Sequence, residues 1–203
     1  HVIPNFVVED AEDEHYTVYM RQKYARDGER ILCHISNFRP VKRVDDVLRV
    51  FAKVNAELPS KLILVGDGPD RYHCERLCRE LNLCDQVIFL GKVRDTSHVL
   101  EMADVFLLPS ETESFGLAAL EAMAVGVPVI SSNTGGIPEV NIHGYSGYLS
   151  DVGDIDDMAK NTLELLKPEN HPAFKKQAKL RSEEFSLARI LPMYEELYRK
   201  LVK

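Results

Sequence analysis

Two carboxylates eight residues apart, Glu113 and Glu121, bracket a stretch in which chemistry and burial conflict. From Phe115 to Val125 every residue except Glu121 is apolar or glycine, the composition of a helix buried all round. A carboxylate on such a helix is costly unless something pairs with it, either a basic side chain of this chain or a polar ligand. An anion cannot bind phosphate, but it can accept hydrogen bonds from two vicinal hydroxyls, as on a ribose. Glu113, in the turn before the helix, could do the same for a sugar or be an exposed loop acid. Gly116 and Leu117 open the helix, so the N–H groups there form a natural anion site. Ser114 could equally be a simple N-cap.

The rest of the chain must position these groups. Short apolar runs at Arg30–Ser36, Lys61–Val65, Gln86–Leu90, Val105–Leu108 and Val127–Ser131 predict buried strands, with a sixth at Gly147–Leu149. Helical spacing predicts helices over 11–26, Val44–Val54, Asp70–Asn82 and Thr96–Ala103. Three more close the chain at Ile155–Leu166, Pro172–Glu184 and Leu187–Val202, with Pro192 kinking the last or sitting in its first turn. Strands that are continuously apolar and alternate with helices mean a parallel sheet covered on both faces. The fold class is α/β, one doubly wound parallel sheet.

Ligands of such folds bind outside the carboxyl ends of the strands. The segments expected there are Asn37–Arg43, Gly66-Asp-Gly-Pro69, Gly91-Lys-Val93, Ser110–Gly116 and Ser132–Gly136. Each carries glycine, charge or both, so the polar segments converge on one rim. Arg39 and Lys42 place two cations in one short loop, suited to a diphosphate; the bland alternative is a solvated turn. Gly66 and Gly68 allow close backbone approach, or form only a turn. The same two readings hold for Gly135-Gly136. The dinucleotide fingerprint is absent, because Gly66-Asp-Gly-Pro-Asp-Arg71 lacks the third glycine, and so is the nucleotide-triphosphatase loop. No histidine pair stands at metal-ligand spacing, so no metal or bound cofactor is expected; His34 is expected in the core.

A net charge of −7 argues against nucleic acid or an anionic membrane as partner. No apolar run approaches a membrane span and no leader pattern opens the chain, so a cytoplasmic location is expected. Cys33, Cys74, Cys78 and Cys84 form no Cys-x-x-Cys pair, and free thiols are expected. The chain starts abruptly at His1-Val-Ile-Pro-Asn5 and is read as a piece of a longer protein.

Glu113-Ser-Phe-Gly-Leu-Ala-Ala-Leu-Glu121 resembles the Glu-x7-Glu motif of the family-four retaining glycosyltransferases of the GT-B fold. Ala122–Val129, Gly135-Gly-Ile-Pro-Glu139, Val65-Gly-Asp-Gly-Pro69 and the Arg39/Lys42 pair agree, and the resemblance covers essentially the whole chain. It implies that Arg39 and Lys42 hold the donor diphosphate and that Glu121 binds the ribose hydroxyls. Glu113 would contact the transferred sugar, and Phe115, Gly116 and Leu117 would offer backbone N–H groups. Val93 would meet the base through its backbone. The resemblance further implies a UDP-sugar donor, no metal, and retention of configuration. Asn37–Val44 looks like the bacillithiol-pathway branch, the N-acetylglucosaminyl L-malate synthases, although Arg43 stands where many members have glycine. Residues 1–10 would be a linker, 11–186 the donor-binding domain, and 187–203 a helix that contacts a second, N-terminal domain carrying the small-molecule acceptor. A UDP-sugar 2-epimerase and a non-catalytic nucleotide-sugar sensor are the alternatives.

Overall fold

The structure is a computed structural model that describes residues 3–7 and 14–201, without the side chains of 14–16. The rest of the expected linker, and residues 11–13 of the first expected helix, lie outside the described residues. Helices are α1 (Glu14–Tyr24), α2 (Val44–Glu57), α3 (Arg71–Glu80), α4 (Ser97–Glu101), α5 (Leu117–Ala124), α6 (Ile137–Val140), α7 (Ile155–Leu165), α8 (His171–Ser182) and α9 (Leu187–Leu201). Strands are β1 (Arg30–Ile35), β2 (Ser60–Val65), β3 (Val87–Gly91), β4 (Val105–Leu108), β5 (Val129–Ser132) and β6 (Gly147–Ser150). They form one sheet in the order β3-β2-β1-β4-β5-β6, every pairing parallel. The order reverses between β1 and β4, the position at which such sheets open a crevice.

The continuous apolar runs divide between two cores. On one face Leu32, Leu62, Leu64, Val105, Leu107 and Ile130 pack with α2, α3 and α7. On the other, Ile31, Cys33, Ile63, Phe106, Leu108 and Val129 pack with α4 and α5. Burial on both faces is why these strands show no polar alternation.

The opposite, amino end of the strands is fastened by Asp104. Its carboxylate accepts from Arg21 at 2.8 Å, Arg30 at 3.1 Å and the Ile31 N–H at 2.7 Å, while its carbonyl accepts from His171 Nε2 at 2.8 Å. A carboxylate that is 7% exposed is kept affordable by this full set of donors.

Three expectations need correction. The buried helix starts at Leu117, and one side of it is open: Leu117 is 45% exposed and Glu121 is half-buried. Ser114 does not cap it; the N-cap is Gly116, with no side-chain cap bond. Of the two placements expected for Pro192, the first turn is ruled out, because it lies at the sixth position of α9, inside the helix. The short helix α6 and a 3-10 turn at Pro40–Lys42 were not expected at all.

Candidate functional site

The loop after β1 is built by burying one residue of it. Phe38 is fully buried and takes a positive φ of 39°, so Arg39 on its far side is exposed. Pro40–Lys42 then closes a 3-10 turn, with Lys42 N–H donating to Arg39 O at 2.8 Å. Arg43 ends the turn in the left-handed region (φ 49°, ψ 47°), a conformation that glycine adopts without cost. That accounts for the departure at this position: the arginine pays in strain for an ion pair, Nε to Asp46 at 2.5 Å, and Asp46 is nearly buried. Burial pushes the Asp46 carboxyl up despite that pair.

Beneath the loop, His34 joins both sides of the switch point. Its Nδ1 is 2.8 Å from the Leu107 carbonyl, which can only accept, so Nδ1 carries the proton. Nε2 then accepts from the Ser36 hydroxyl at 2.8 Å, and Ser36 Oγ accepts from the Phe38 N–H at 3.3 Å. Burial pushes the imidazole down to about 4, which keeps Nε2 an acceptor.

Across the crevice, the loop after β4 brings Glu113 to Lys42 at 2.6 Å, with the side chains 15% and 21% exposed. Glu113 is therefore neither a solvated loop acid nor an unpaired one. Ser110, fully buried, adds a longer contact at 3.4 Å. The two loops are also joined by Glu111 N–H to Val41 O at 2.8 Å.

The glycines serve loop-to-loop contact. A Cβ on Gly66 would lie 1.7 Å from Ser36 O, and one on Gly68 2.0 Å from Asn37 O. Likewise Gly135 meets Glu113 O at 1.9 Å and Gly136 meets Ser114 O at 2.2 Å. No side chain fits at any of the four. The Gly136 N–H donates to Glu113 O at 2.9 Å, so the loop after β5 props the backbone that carries Glu113.

Gly116, at φ 90°, turns the chain into α5. Among the described residues no protein acceptor meets the N–H groups of Phe115 to Ala118. Phe115 is anchored below them by an edge-on contact with Phe185, centroids 5.6 Å apart. One turn into α5, Glu121 has no hydrogen-bond or ion-pair partner among the described residues, and burial pushes its carboxyl up. It faces a pocket of about 300 Å³ shared with Leu117, Phe6, Asp95, Thr96 and Ser97. Asp95 accepts from both the N–H and the hydroxyl of Ser97, which fixes that lip and holds its carboxyl below the usual range. Val93 sits half-buried in the same loop, its side chain against the core.

The structure thus brings Lys42 to Glu113, and Leu117 to Glu121, while Gly66 and Gly68 buttress the loop of Arg39. Sequence reasoning missed Ser110, Thr96 and Ser97. Ser110 adjoins the two-carboxylate stretch, which was a usable signal; Thr96 and Ser97 carry none beyond their place after a strand. No group of three or more metal-ligating side chains occurs among the described residues. No helix among them is long and apolar enough to cross a membrane.

A family model for glycosyl transferases group 1 matches residues 17–183. The chain belongs to this family. It is 44% identical over 197 residues, 96% of this chain and 52% of the relative, to the N-acetyl-alpha-D-glucosaminyl L-malate synthase of Bacillus anthracis. Sucrose-phosphate synthase from Thermosynechococcus elongatus superposes with a TM-score of 0.88 at 27% identity, over all of this chain and 52% of that one. A TarM variant from S. aureus, solved with fondaparinux, alpha-GlcNAc-glycerol and UDP, gives 0.84 at 25% identity over 98% and 39%. The chain spans about half the length of the curated relative. These likenesses bear out the resemblance and the GT-B-type sheet.

Proposed function

We propose that this chain is the donor-binding half of a transferase that moves N-acetylglucosamine from a UDP-sugar to a small hydroxy acid such as L-malate, with retention. The observation that carries the reading is Glu121, a half-buried carboxylate without a protein partner, one turn beyond a set of open backbone N–H groups. A nucleoside diphosphate complements both: its ribose diol donates to Glu121 and its phosphates accept from the start of α5. The 44% identity to the malate synthase supports the choice of sugar and acceptor.

In this reading negative charge grows on the leaving diphosphate as the glycosidic bond breaks. Arg39, Lys42 and the N-terminus of α5 stabilise it, so the chemistry asks for no metal. Lys42 turns from Glu113 toward phosphate, and Glu113 is released toward the hydroxyls of the sugar. Val93 lines the base side through its backbone. Acceptor binding falls to the rest of the longer protein. The amphipathic α9 exposes Leu191, Met193, Tyr198 and Leu201, an apolar face suited to crossing onto that second domain.

The chain alone is expected to bind UDP weakly and to transfer nothing. Excess UDP should raise its Tm, and Glu121→Ala should remove the effect; equal protection of both proteins counts against the site. For the longer protein, a panel of UDP-GlcNAc, UDP-glucose, GDP-mannose and ADP-glucose with L-malate tests donor and acceptor. Nucleotide release only with UDP-GlcNAc plus malate is expected. Epimerised UDP-sugar without acceptor, or binding without turnover, sinks the transferase reading.

A further inference from the structure

The outer edge of the sheet carries two thiols that the donor site does not use. Helix α3 ends at Glu80, and Asn82 takes a positive φ of 56° just beyond it. The Leu83 N–H then donates back to Cys78 O at 2.9 Å, so the chain folds over its own last helical turn. That reversal brings Cys84 back beside Cys78, close enough that each thiol acts on the other. Both line a pocket of about 210 Å³ with Glu75, Arg79, Val87 and Phe89, beside the edge strand β3.

The four cysteines are not equivalent. Cys33 is fully buried in β1 and Cys74 fully buried in α3, and burial pushes both thiols far up, Cys74 to about 12. Cys84 is exposed, while Cys78 is 3% exposed and lines the same pocket. An accessible thiol beside a shielded one is the arrangement of an attacking and a resolving cysteine.

We propose that Cys78 and Cys84 form a dithiol that a low-molecular-weight disulfide converts reversibly into an intramolecular disulfide. The Cys84 thiolate attacks one sulfur of the small disulfide, a mixed disulfide forms, and one small thiolate leaves. That thiolate takes the Cys78 proton. Cys78 sulfur then attacks Cys84 Sγ and expels the second small thiolate, which is protonated by water. The protein dithiol is oxidised and one small disulfide is reduced to two thiols. Burial and the neighbouring thiol push Cys78 up to about 11, so it is mostly protonated and shielded, and its attack relies on its nearness to Cys84 rather than on a ready thiolate. The pocket wall carries one cation, Arg79, and one anion, Glu75, so a small disulfide with both charges, such as oxidised glutathione, finds a partner for each.

The experiment treats the native chain with oxidised glutathione, counts thiols and maps tryptic peptides. The expected result is loss of two of the four thiols, with Leu77–Arg79 linked to Glu80–Lys92, and full recovery with dithiothreitol. Cys84→Ser should not react, and Cys78→Ser should stop at a mixed disulfide on Cys84. Four unreacted thiols, a stable mixed disulfide in the unsubstituted chain, or a link through Cys33 or Cys74 overturns the proposal. The outcome is independent of which sugar the chain binds.

Discussion

Lys42 and Glu113 meet at 2.6 Å across the crevice between the loops after β1 and β4, each mostly withdrawn from solvent. Two residues read as partners of different parts of a donor are, before any donor arrives, partners of each other. On the proposed reading, binding of a diphosphate would exchange one anion for another at the ammonium group, keeping the cation placed and its desolvation already met.

This exchange gives two substitutions effects of opposite kind. Lys42→Ala would remove the proposed charged hydrogen bond to phosphate and should weaken UDP binding about 10- to 100-fold. Glu113→Gln frees Lys42, so UDP, which lacks the sugar, should bind as well or more tightly. Calorimetric titration of both variants decides; parallel losses would show that Glu113 holds the loop rather than competing for the lysine.

Glu121 should show a conflict between stability and binding. Burial raises its carboxyl in the folded chain, so the folded state holds that proton more tightly than the unfolded one. Stability therefore falls as pH rises through the raised range, and the penalty persists at neutral pH. Glu121→Gln should raise Tm at pH 7 while weakening UDP binding about tenfold, since a neutral amide is the poorer acceptor for a diol. A Tm that falls would show that the carboxylate has a protein partner.

His34 runs the other way. Its folded value of about 4 lies below the ordinary 6.5, so the unfolded chain takes up the proton first. Stability from this group is whole above pH 6.5 and is lost as pH falls toward 4, by on the order of 3 kcal/mol. His171, also pushed down by burial, adds in the same direction. Urea unfolding of His34→Gln across this window should show a shallower pH dependence; an unchanged slope would remove His34 from the account.

Asp104 should matter for folding and little for donor binding. Asp104→Ala leaves the Ile31 N–H unpaired and leaves Arg21 and Arg30 with backbone carbonyl partners alone, which costs about 2–3 kcal/mol. Urea denaturation reads that loss. UDP affinity per folded molecule should stay unchanged, because the cluster lies at the amino ends of β1 and β4, away from the rim.

What could be read from residue order follows from range. The strands were legible because both faces are buried and the apolar runs are unbroken, as in Ile31–Cys33 and Leu62–Val65. Glu121 was legible because one charge in an apolar helix is a local contradiction. The Arg21–Asp104 pair spans 83 residues and the Lys42–Glu113 pair spans 71, and no local pattern encodes which charges will meet at such separations. Arg43 was visible as an oddity, but its left-handed backbone and its pair with Asp46 needed the fold. Residue order leaves the rim glycines between close approach and a simple turn; in the structure, protein backbone lies against all four.

That last feature bears on how such a site can change over time. With Gly66 and Gly68 seated on the loop after β1, and Gly135 and Gly136 seated on the loop after β4, the rim is a cross-braced frame. A loop transplanted from a relative would have to bring its glycine counterpart with it, or collide with a carbonyl oxygen. If the rim holds a donor as proposed, its preference would be altered more readily by exchanging single side chains beside the frame, such as Thr96 and Ser97 after β3, than by lengthening or replacing the braced loops. A substitution at any one of the four glycines would disturb two loops at once.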